Sequence, residues 1–147
     1  MYKAVAAIVL VAGALPAWAQ MTPEGLWRNI DDKTGEAKAE IRIRDTGGGV
    51  LNGALEKRLS KDAKADDVCD ECSDDRKGKP ILGLEIIRGA KKAEGKDVWE
   101  DGKILDPKNG KTYKLRLKPS DDGKKLEVRG YIGAPVFGRT QTWHRVE

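Results

Sequence analysis

Few residues of this sequence belong to the types that carry out catalysis. Its one histidine, His144, excludes a zinc site with three histidines and any mechanism that needs two imidazole groups. Each of the three serines lies outside a G-x-S-x-G nucleophile elbow. Asp101 and Asp106 leave a carboxylate-based hydrolase as an open alternative. We nevertheless expect a protein that is not an enzyme and that carries no cofactor.

Cys69 and Cys72 are the only cysteines, and two residues separate them. Such a pair forms a disulfide in an oxidising compartment, acts as a redox pair where cations stabilise a thiolate, or binds a metal with further ligands. Six carboxylates lie between positions 66 and 75 and oppose thiolate formation, while His144 is the one imidazole available for a metal. We expect a disulfide, and the other two interpretations remain open.

The segment around the cysteines is strongly acidic. Residues 62–75 contain seven carboxylates, enough in number for a calcium loop. The D-x-D-x-D-G spacing of an EF-hand is absent, and neighbouring lysines and arginines offset part of the charge. The segment is therefore interpreted as a solvated loop beside the cysteine pair, and no metal site is predicted.

A basic stretch follows later in the chain. Residues 108–129 contain eight basic side chains against three acidic ones, within a chain whose formal net charge is +4. Alternation places many of them on the wet face of strands, where they favour solubility and could contact anionic envelope lipid or polysaccharide. Nucleic acid is not an expected partner, because aromatic residues are not interleaved with the basic ones.

The N-terminus has the organisation of a secretory signal peptide. Lys3 precedes an apolar run over residues 4–15, and Ala17-Trp18-Ala19 matches the small-x-small pattern that signal peptidase cleaves. We therefore expect residues 1–19 to be removed and residues 20–147 to form a single exported domain, periplasmic or secreted.

Turn signals and alternating hydrophobicity predict an all-β protein. Asp-Gly and Asn-Gly pairs favour tight hairpins, and polar and apolar residues alternate between them with a period of two. Strands are predicted near residues 25–30, 38–45, 50–58, 81–88, 97–100, 103–106, 112–118, 124–132 and 138–146. Residues 54–65 are the one helical candidate, as a strand that runs into a short helix. Eight or nine evenly spaced strands indicate an up-and-down barrel or a sandwich.

The first predicted strand carries the tripeptide Gly25-Leu26-Trp27. A G-x-W on the first strand, with an arginine of the last strand packed over the indole, resembles the lipocalin and calycin signature. Two arginines of the last strand, Arg139 and Arg145, could occupy that place. Both lie on the same face of the strand, so alternation does not choose between them.

A wider set of motifs resembles one family of exported bacterial proteins, the domain of unknown function 2147. The resemblance covers residues 24–146, and its motifs are Gly25-Leu26-Trp27, the D-V-C-D-E-C run at 67–72, the K-G-K-P-I-L-G-L run at 77–84, the I-L-D-P and N-G-K-T-Y runs at 104–113, and the R-G-Y-I-G and G-R-T-Q-T-W runs at 129–143. It implies an eight-stranded lipocalin-like barrel in the cell envelope. The resemblance implies no catalytic residues.

An eight-stranded barrel either fills with side chains or keeps one ligand cavity. We expect a monomer that binds a small apolar or amphipathic ligand; the alternative is a filled barrel that serves as a structural or protein-interaction module of the envelope. The predicted cavity residues are inward-facing on the alternating strands: Ile41, Ile43, Leu84, Ile86, Trp99, Tyr113, Leu115, Leu117, Val128 and Ile132. In the Gly-rich apolar hairpin at 130–138, Val136 and Phe137 either line the mouth or contact a partner, or they fold back as a lid on the core.

Overall fold

A computed structural model describes residues 21–147, together with Gly13 alone, and shows eight antiparallel strands that close into one barrel. Apart from Gly13, the predicted signal peptide of residues 1–19 therefore lies outside the described residues. The strands are β1 (Gly25–Ile30), β2 (Ala37–Asp45), β3 (Leu51–Arg58), β4 (Glu85–Lys92), β5 (Trp99–Leu105), β6 (Thr112–Pro119), β7 (Lys125–Tyr131) and β8 (Gly138–Arg145). Each strand pairs with its neighbours in sequence, and β8 pairs with β1. The predicted all-β barrel is confirmed.

The connections give the two ends of the barrel different characters. Three short turns, residues 46–50, 93–98 and 120–124, lie at one end, which we call the closed end. The other end, called the open end, carries residues 31–36, 106–111 and 132–137 and the long connection of residues 59–84. No helix occurs among residues 21–147, and so none there could span a membrane.

Two local predictions are wrong. The helical candidate at 54–65 is strand β3 as far as Arg58, followed by turns, because cross-strand pairing with β2 and β4 outweighs the helical spacing of Leu55 and Leu59. Asp101-Gly102 does not separate two strands but forms a bulge within β5. Asp101 adopts a φ of 65°, and the register with β6 shifts between Trp99 and Gly102.

The core fills the closed half of the interior with large side chains. The fully buried residues include Ile43, Leu51, Ile87, Leu115, Leu117 and Leu126 together with Trp27 and Trp143. They come from the inward faces of alternating strands, as a barrel with a wet outer wall requires. Gly53 fits among them because a Cβ at that position would lie only 3.2 Å from the Cβ of Ile87.

Candidate ligand-binding cavity

Trp27 and Arg145 form the floor of the barrel at the closed end. The indole of Trp27 is fully buried, and its Nε1 donates a hydrogen bond of 2.7 Å to the carbonyl oxygen of Pro23. The guanidinium of Arg145 lies 4.2 Å from the centroid of the Trp27 ring, and the two residues are direct partners in the β1–β8 register. Burial lowers the pKa of Arg145, although an arginine keeps its charge. A cation over an indole in this setting stabilises the closed end.

Arg145 also ties the chain segment before β1 to the floor. Its guanidinium donates to the backbone carbonyl oxygens of Thr22 (3.2 Å), Glu24 (2.9 Å) and Gly123 (2.5 Å). Residues 21–24 are thereby held across the closed end. Arg139, the other arginine considered for this place, begins β8 at the open end, six residues earlier. Because β8 runs from the open end to the closed end, Arg145 and not Arg139 packs over Trp27.

A cavity of about 500 Å³ occupies the open half of the barrel. Its volume lies within the range of small-molecule sites, which runs from roughly 300 to 1,000 Å³. About half of the lining residues are apolar, namely Ile30, Ala39, Ile41, Leu55, Ile81, Ile86, Ile104, Leu105, Pro107, Val128 and Trp143. The barrel interior is thus packed with side chains towards the closed end and contains a cavity towards the open end.

One side of the cavity carries polar groups. Asn29 of β1 and Gln141 of β8 line it, and the Nε1 of Trp143 donates to the Oε1 of Gln141 at 3.2 Å. Arg139 lies above Gln141 on the same face of β8, and Tyr113 of β6 lies beyond Gly130. Apolar side chains on one part of a cavity and polar groups on another can orient an amphipathic ligand.

The glycine at position 130 accounts for part of the free space. Gly130 lies on the cavity wall, where every neighbouring strand places a side chain. A Cβ built there would sit 3.5 Å from Ile104 Cγ2 and from Tyr113 Cβ, which is ordinary contact distance. The room for a larger side chain at this position is therefore left to the cavity.

Charged side chains surround the mouth. The cations that line it are Lys38, Arg58, Lys108 and Arg139, and the anions are Asp31, Asp32 and Asp106. Hydrogen bonds from the backbone N–H groups of Thr34 and Lys33 hold the pKa of Asp31 below its usual value near 3.8. The carboxylate of Asp31 therefore already has hydrogen-bond donors within its own turn.

The long connection covers part of the mouth. The Cys69–Cys72 disulfide is formed, so that prediction is confirmed. The disulfide segment lies against the loop between β5 and β6, where a Cβ on Gly110 would be 1.8 Å from the carbonyl oxygen of Glu71. Gly110, with a φ of 72°, permits this approach. Ile81, at the end of the segment, reaches the cavity wall.

Ion pairs anchor the same connection to the barrel. Arg58 of β3 contacts Asp67 at 2.5 Å, and Arg88 of β4 contacts Asp75 at 2.9 Å. Arg76 is buried, pairs with Asp74 at 2.6 Å and donates to the carbonyl oxygen of Glu85 at 2.8 Å. The connection is therefore an ordered cover that includes a buried arginine.

Comparison with known proteins agrees with this architecture. The family described as "Uncharacterized protein conserved in bacteria (DUF2147)" matches residues 25–145, a span that contains all eight strands. The chain belongs to this family. No curated protein has a similar sequence.

A solved structure shares the fold of this DUF2147 protein. It is a protein of the human pathogen Helicobacter pylori that is described as belonging to the lipocalin family. The two chains are 18% identical, the TM-score is 0.71, and the alignment covers 84% of this chain and 82% of that one. The similarity establishes a lipocalin-like barrel for the DUF2147 chain.

Four of the ten predicted cavity residues of the DUF2147 protein line the observed cavity, namely Ile41, Ile86, Tyr113 and Val128. Ile43, Leu84, Trp99, Leu115 and Leu117 are buried but do not line the cavity. Ile132 is 67% exposed, because β7 ends at Tyr131 and the alternation does not extend into the hairpin. The inward faces were predicted well, whereas the depth along each strand was not.

Several lining residues of the DUF2147 cavity escaped the sequence analysis. Ile30 and Leu105 lie at strand ends and Ile81 lies in the long connection, where the alternation is weakest. Leu55 lies within β3, in the segment that was predicted to run into a short helix.

Asn29 and Gln141 share the inward parity of their strands, and that parity is the signal that could have found them. Arg58 has the opposite parity from the inward Leu51, Gly53 and Leu55, and it follows the register shift between β2 and β3, which alternation does not reveal.

The hairpin between β7 and β8 of the DUF2147 protein exposes apolar side chains at the open end. Ile132, Val136 and Phe137 are 67%, 74% and 74% exposed. Arg129 braces the hairpin by donating from Nε to the carbonyl oxygen of Pro135 at 2.7 Å. In this structure the hairpin does not fold over the core as a lid.

The remaining candidate residues of the DUF2147 protein are not gathered into a reactive cluster. His144 pairs in register with Arg28 and Lys125 on the outward parity of β8, away from the cavity. Asp106 lies at the mouth, whereas Asp101 lies in the β5 bulge outside the cavity wall. Within residues 21–147, no group of three or more His, Cys, Asp or Glu is placed to hold a metal ion.

Proposed function

We propose that this protein binds a small amphipathic molecule in the cavity at the open end of its barrel, and that it does so without catalysis. The observation that carries the proposal is the division of the interior. Large side chains fill the closed half, whereas about 500 Å³ remains in the open half between an apolar wall and one polar side. An empty cavity does not stabilise the fold, because the side chains that line a void lose packing contacts.

We further propose that the protein is exported to the periplasm or beyond. The signal-peptide pattern of residues 1–19 supports this location, and the Cys69–Cys72 disulfide is consistent with an oxidising compartment.

Native mass spectrometry of the protein purified from its own cell envelope tests the binding function. We expect a population whose mass exceeds that of the apo chain by a single small molecule, and we expect this population to vanish in Gly130→Leu, which fills the cavity wall. Val136→Ser, on the exposed hairpin, is the matched control and should retain the bound mass. Only the apo mass of each of the three proteins, together with no uptake of a hydrophobic fluorophore, would contradict the proposal.

A second candidate function, attachment to the surface of an anionic membrane, is supported by the exposed hairpin. Ile132, Val136 and Phe137 form an apolar tip beside the mouth, and exposed lysines, Lys103 and Lys114, are paired in register on the outer wall nearby. Apolar side chains beside cations are suited to an anionic lipid surface. This arrangement would present the mouth to the source of an amphipathic ligand.

Sedimentation with lipid vesicles tests this attachment. The protein should sediment with vesicles in which one third of the lipid is phosphatidylglycerol, but not with vesicles of phosphatidylcholine alone. The double variant Val136→Ser/Phe137→Ser should no longer sediment with the anionic vesicles. Equal retention of the double variant would rule out the hairpin as the attachment site.

A further inference from the structure

The outer wall of strands β5, β6 and β7 carries like charges directly opposite each other. Lys103 of β5 pairs in register with Lys114 of β6, and Arg116 of β6 pairs with Arg129 of β7. The Cβ atoms of such pairs lie about 5 Å apart, and like charges in this position destabilise a sheet. The barrel therefore gains no stability from the clustering of these four cations, which we call the basic wall.

Two carboxylates lie on the same part of the outer surface. Glu100 contacts Arg116 at 3.5 Å, and Asp101 is exposed in the β5 bulge. Both keep their negative charge, so the four cations of the basic wall exceed these carboxylates by two positive charges. Nearer the closed end, Lys118 lies opposite Glu127 in register, and the charges of these two residues balance.

The neighbouring strand β4 does not remove this excess. Its outward cations Arg88 and Lys91 are equal in number to the carboxylates of Asp75 and Glu85. Both carboxylates contact Arg88, at 2.9 Å from Asp75 and 2.5 Å from Glu85. The positive charge of the basic wall is therefore not offset from this side.

The two arginines of the basic wall are held in place but only partly satisfied. Arg129 donates from Nε to the carbonyl oxygen of Pro135 at 2.7 Å and from Nη1 to Oγ1 of Thr140 at 2.6 Å. Its Nη2 has no hydrogen-bond partner within residues 21–147. The Arg116 side chain is 40% exposed and has only the 3.5 Å contact with Glu100 in that range. Two adjacent guanidinium groups thus keep donors for an acceptor from outside the chain.

Paired arginines favour a phosphate group with several free oxygens. A guanidinium donates two parallel hydrogen bonds to a phosphate, so two guanidinium groups side by side need several acceptor atoms. A phosphate monoester offers three terminal oxygens, whereas a phosphodiester offers two. The monoester also carries close to two negative charges at about pH 8, because its second pKa is about 6. Two negative charges match the excess of the basic wall.

The exposed hairpin relates the basic wall to a membrane surface. Residues 132–137 contain no charged side chain and expose Val136 and Phe137. Arg129 of the basic wall is hydrogen-bonded to Pro135 within this hairpin, so the two features are adjacent. Apolar side chains that enter the interface beside cations that meet the headgroups are suited to a lipid surface.

We propose that the basic wall binds the headgroup of a membrane lipid that ends in a phosphate monoester, and that Arg116 and Arg129 bind the phosphate. This inference rests on the proposed membrane attachment and specifies its lipid class and the residues that recognise it. Lys103 and Lys114 add positive potential beside the two guanidinium groups. The hairpin inserts next to the bound headgroup.

Sedimentation with vesicles of matched surface charge tests the inference. One set contains phosphatidate and the other phosphatidylglycerol, both in phosphatidylcholine and both adjusted to the same electrophoretic mobility at about pH 8. The wild-type protein should bind the phosphatidate vesicles about tenfold more tightly, because additional charge-assisted hydrogen bonds contribute a factor of that order.

Arginine-to-lysine variants localise the preference. Arg116→Lys keeps the charge but loses the two parallel hydrogen bonds, so it should bind both vesicle sets with about equal affinity. Arg44→Lys is the matched control, because Arg44 is an exposed arginine of β2 outside the basic wall, and it should keep the preference of the wild type. Arg129 is left intact because it also braces the hairpin. Thermal unfolding of each variant shows that the fold is retained.

The outcomes separate this inference from membrane attachment itself. Equal affinities of the wild-type protein for the two vesicle sets, or an Arg116→Lys variant with the preference of the wild type, would overturn the phosphate-monoester inference while attachment stands. Failure of the wild-type protein to sediment with either set would overturn both.

Discussion

Arg139 and Arg145 lie on one face of one strand and act at opposite ends of the barrel. Arg145 stacks on Trp27 and donates to three backbone carbonyls, so its charge is used inside the protein. Arg139 lines the mouth without a protein partner in the described chain, so its charge is available to a ligand. The same residue type thus stabilises the floor at one position and lines the open mouth at the other.

The two arginines should therefore differ in their effect on stability. We expect Arg145→Gln to lower the free energy of unfolding by about 2–4 kcal/mol, because three carbonyl groups and the indole lose a charged partner. Arg139→Gln should change it by less than about 0.5 kcal/mol. Urea denaturation followed by fluorescence measures both values, and equal losses would show that the two residues have equivalent roles.

Trp27 is the largest side chain that closes the floor. Trp27→Ala should lower the free energy of unfolding by about 3–5 kcal/mol, since it removes a fully buried indole and leaves a void. Chemical denaturation monitored by circular dichroism measures the change. Trp27→Phe, which keeps an aromatic ring there, should lower the free energy of unfolding by less. A Trp27→Ala variant as stable as the wild type would show that the indole does not stabilise the closed end.

At the scale of elements, the long connection is held both by ion pairs and by the apolar packing of Cys69, Cys72, Ile81 and Leu84. The disulfide closes a loop of four residues and contributes only about 2 kcal/mol through the unfolded chain. Hydrogen bonds from Arg76 hold the pKa of Asp74 far below its usual value near 3.8. The backbone N–H of Lys64, and then Arg58, lower the pKa of Asp67.

Acid should therefore loosen this connection before it unfolds the barrel. Because folding lowers the pKa of both carboxylates, their stabilising contribution is complete above pH 4 and is lost as the pH falls through their lower folded-state pKa values. Hydrogen exchange at pH 7, 4 and 2.5, corrected for intrinsic rates, should show protection in residues 59–84 falling at the lowest pH while the strands stay protected.

Asp74→Asn supplies the control for the acid effect. This variant lacks the titrating group, so its connection should already be less protected at pH 7 and should change less between pH 4 and pH 2.5. A connection whose protection is the same at all three pH values in the wild-type protein would show that the ion pairs do not hold it.

At the scale of the whole molecule, glycines set how the interior is divided. Gly102 lies in the packed part of the barrel, where a Cβ would approach Ala90 N at 2.9 Å and Arg88 O at 3.0 Å. Gly130 lies on the cavity wall, where a Cβ would have ordinary contacts at 3.5 Å. One glycine permits close strand packing and the other leaves room for a ligand.

Substitutions at these two glycines should separate stability from binding. Gly102→Ala should lower the free energy of unfolding by about 1–3 kcal/mol, because backbone atoms must move. Gly130→Val should change stability by less than about 1 kcal/mol but lower the affinity for a hydrophobic fluorophore, since its methyl groups occupy the cavity. Calorimetric titration and thermal unfolding of both variants measure these effects, and a Gly130→Val protein that binds like the wild type would show that the ligand lies elsewhere.

The sequence by itself determined the fold class and the inward face of most strands. It favoured the disulfide but left the redox and metal interpretations open. Alternation and turn chemistry are local properties, so Ile41, Leu115 and Val128 were assigned to the interior from their neighbours in the chain. Membership of the DUF2147 family was likewise evident in motifs spread along the whole domain.

Only the tertiary structure decided where the interior is filled and where it is open. Period-two alternation tells the inside of a strand from the outside, but it carries no information about height along the barrel axis. Height depends on the stagger of all eight strands and on what the connections cover. For that reason Ile43 lies in the packed half while Ile81, from a loop, reaches the cavity, and Arg145 rather than Arg139 meets Trp27.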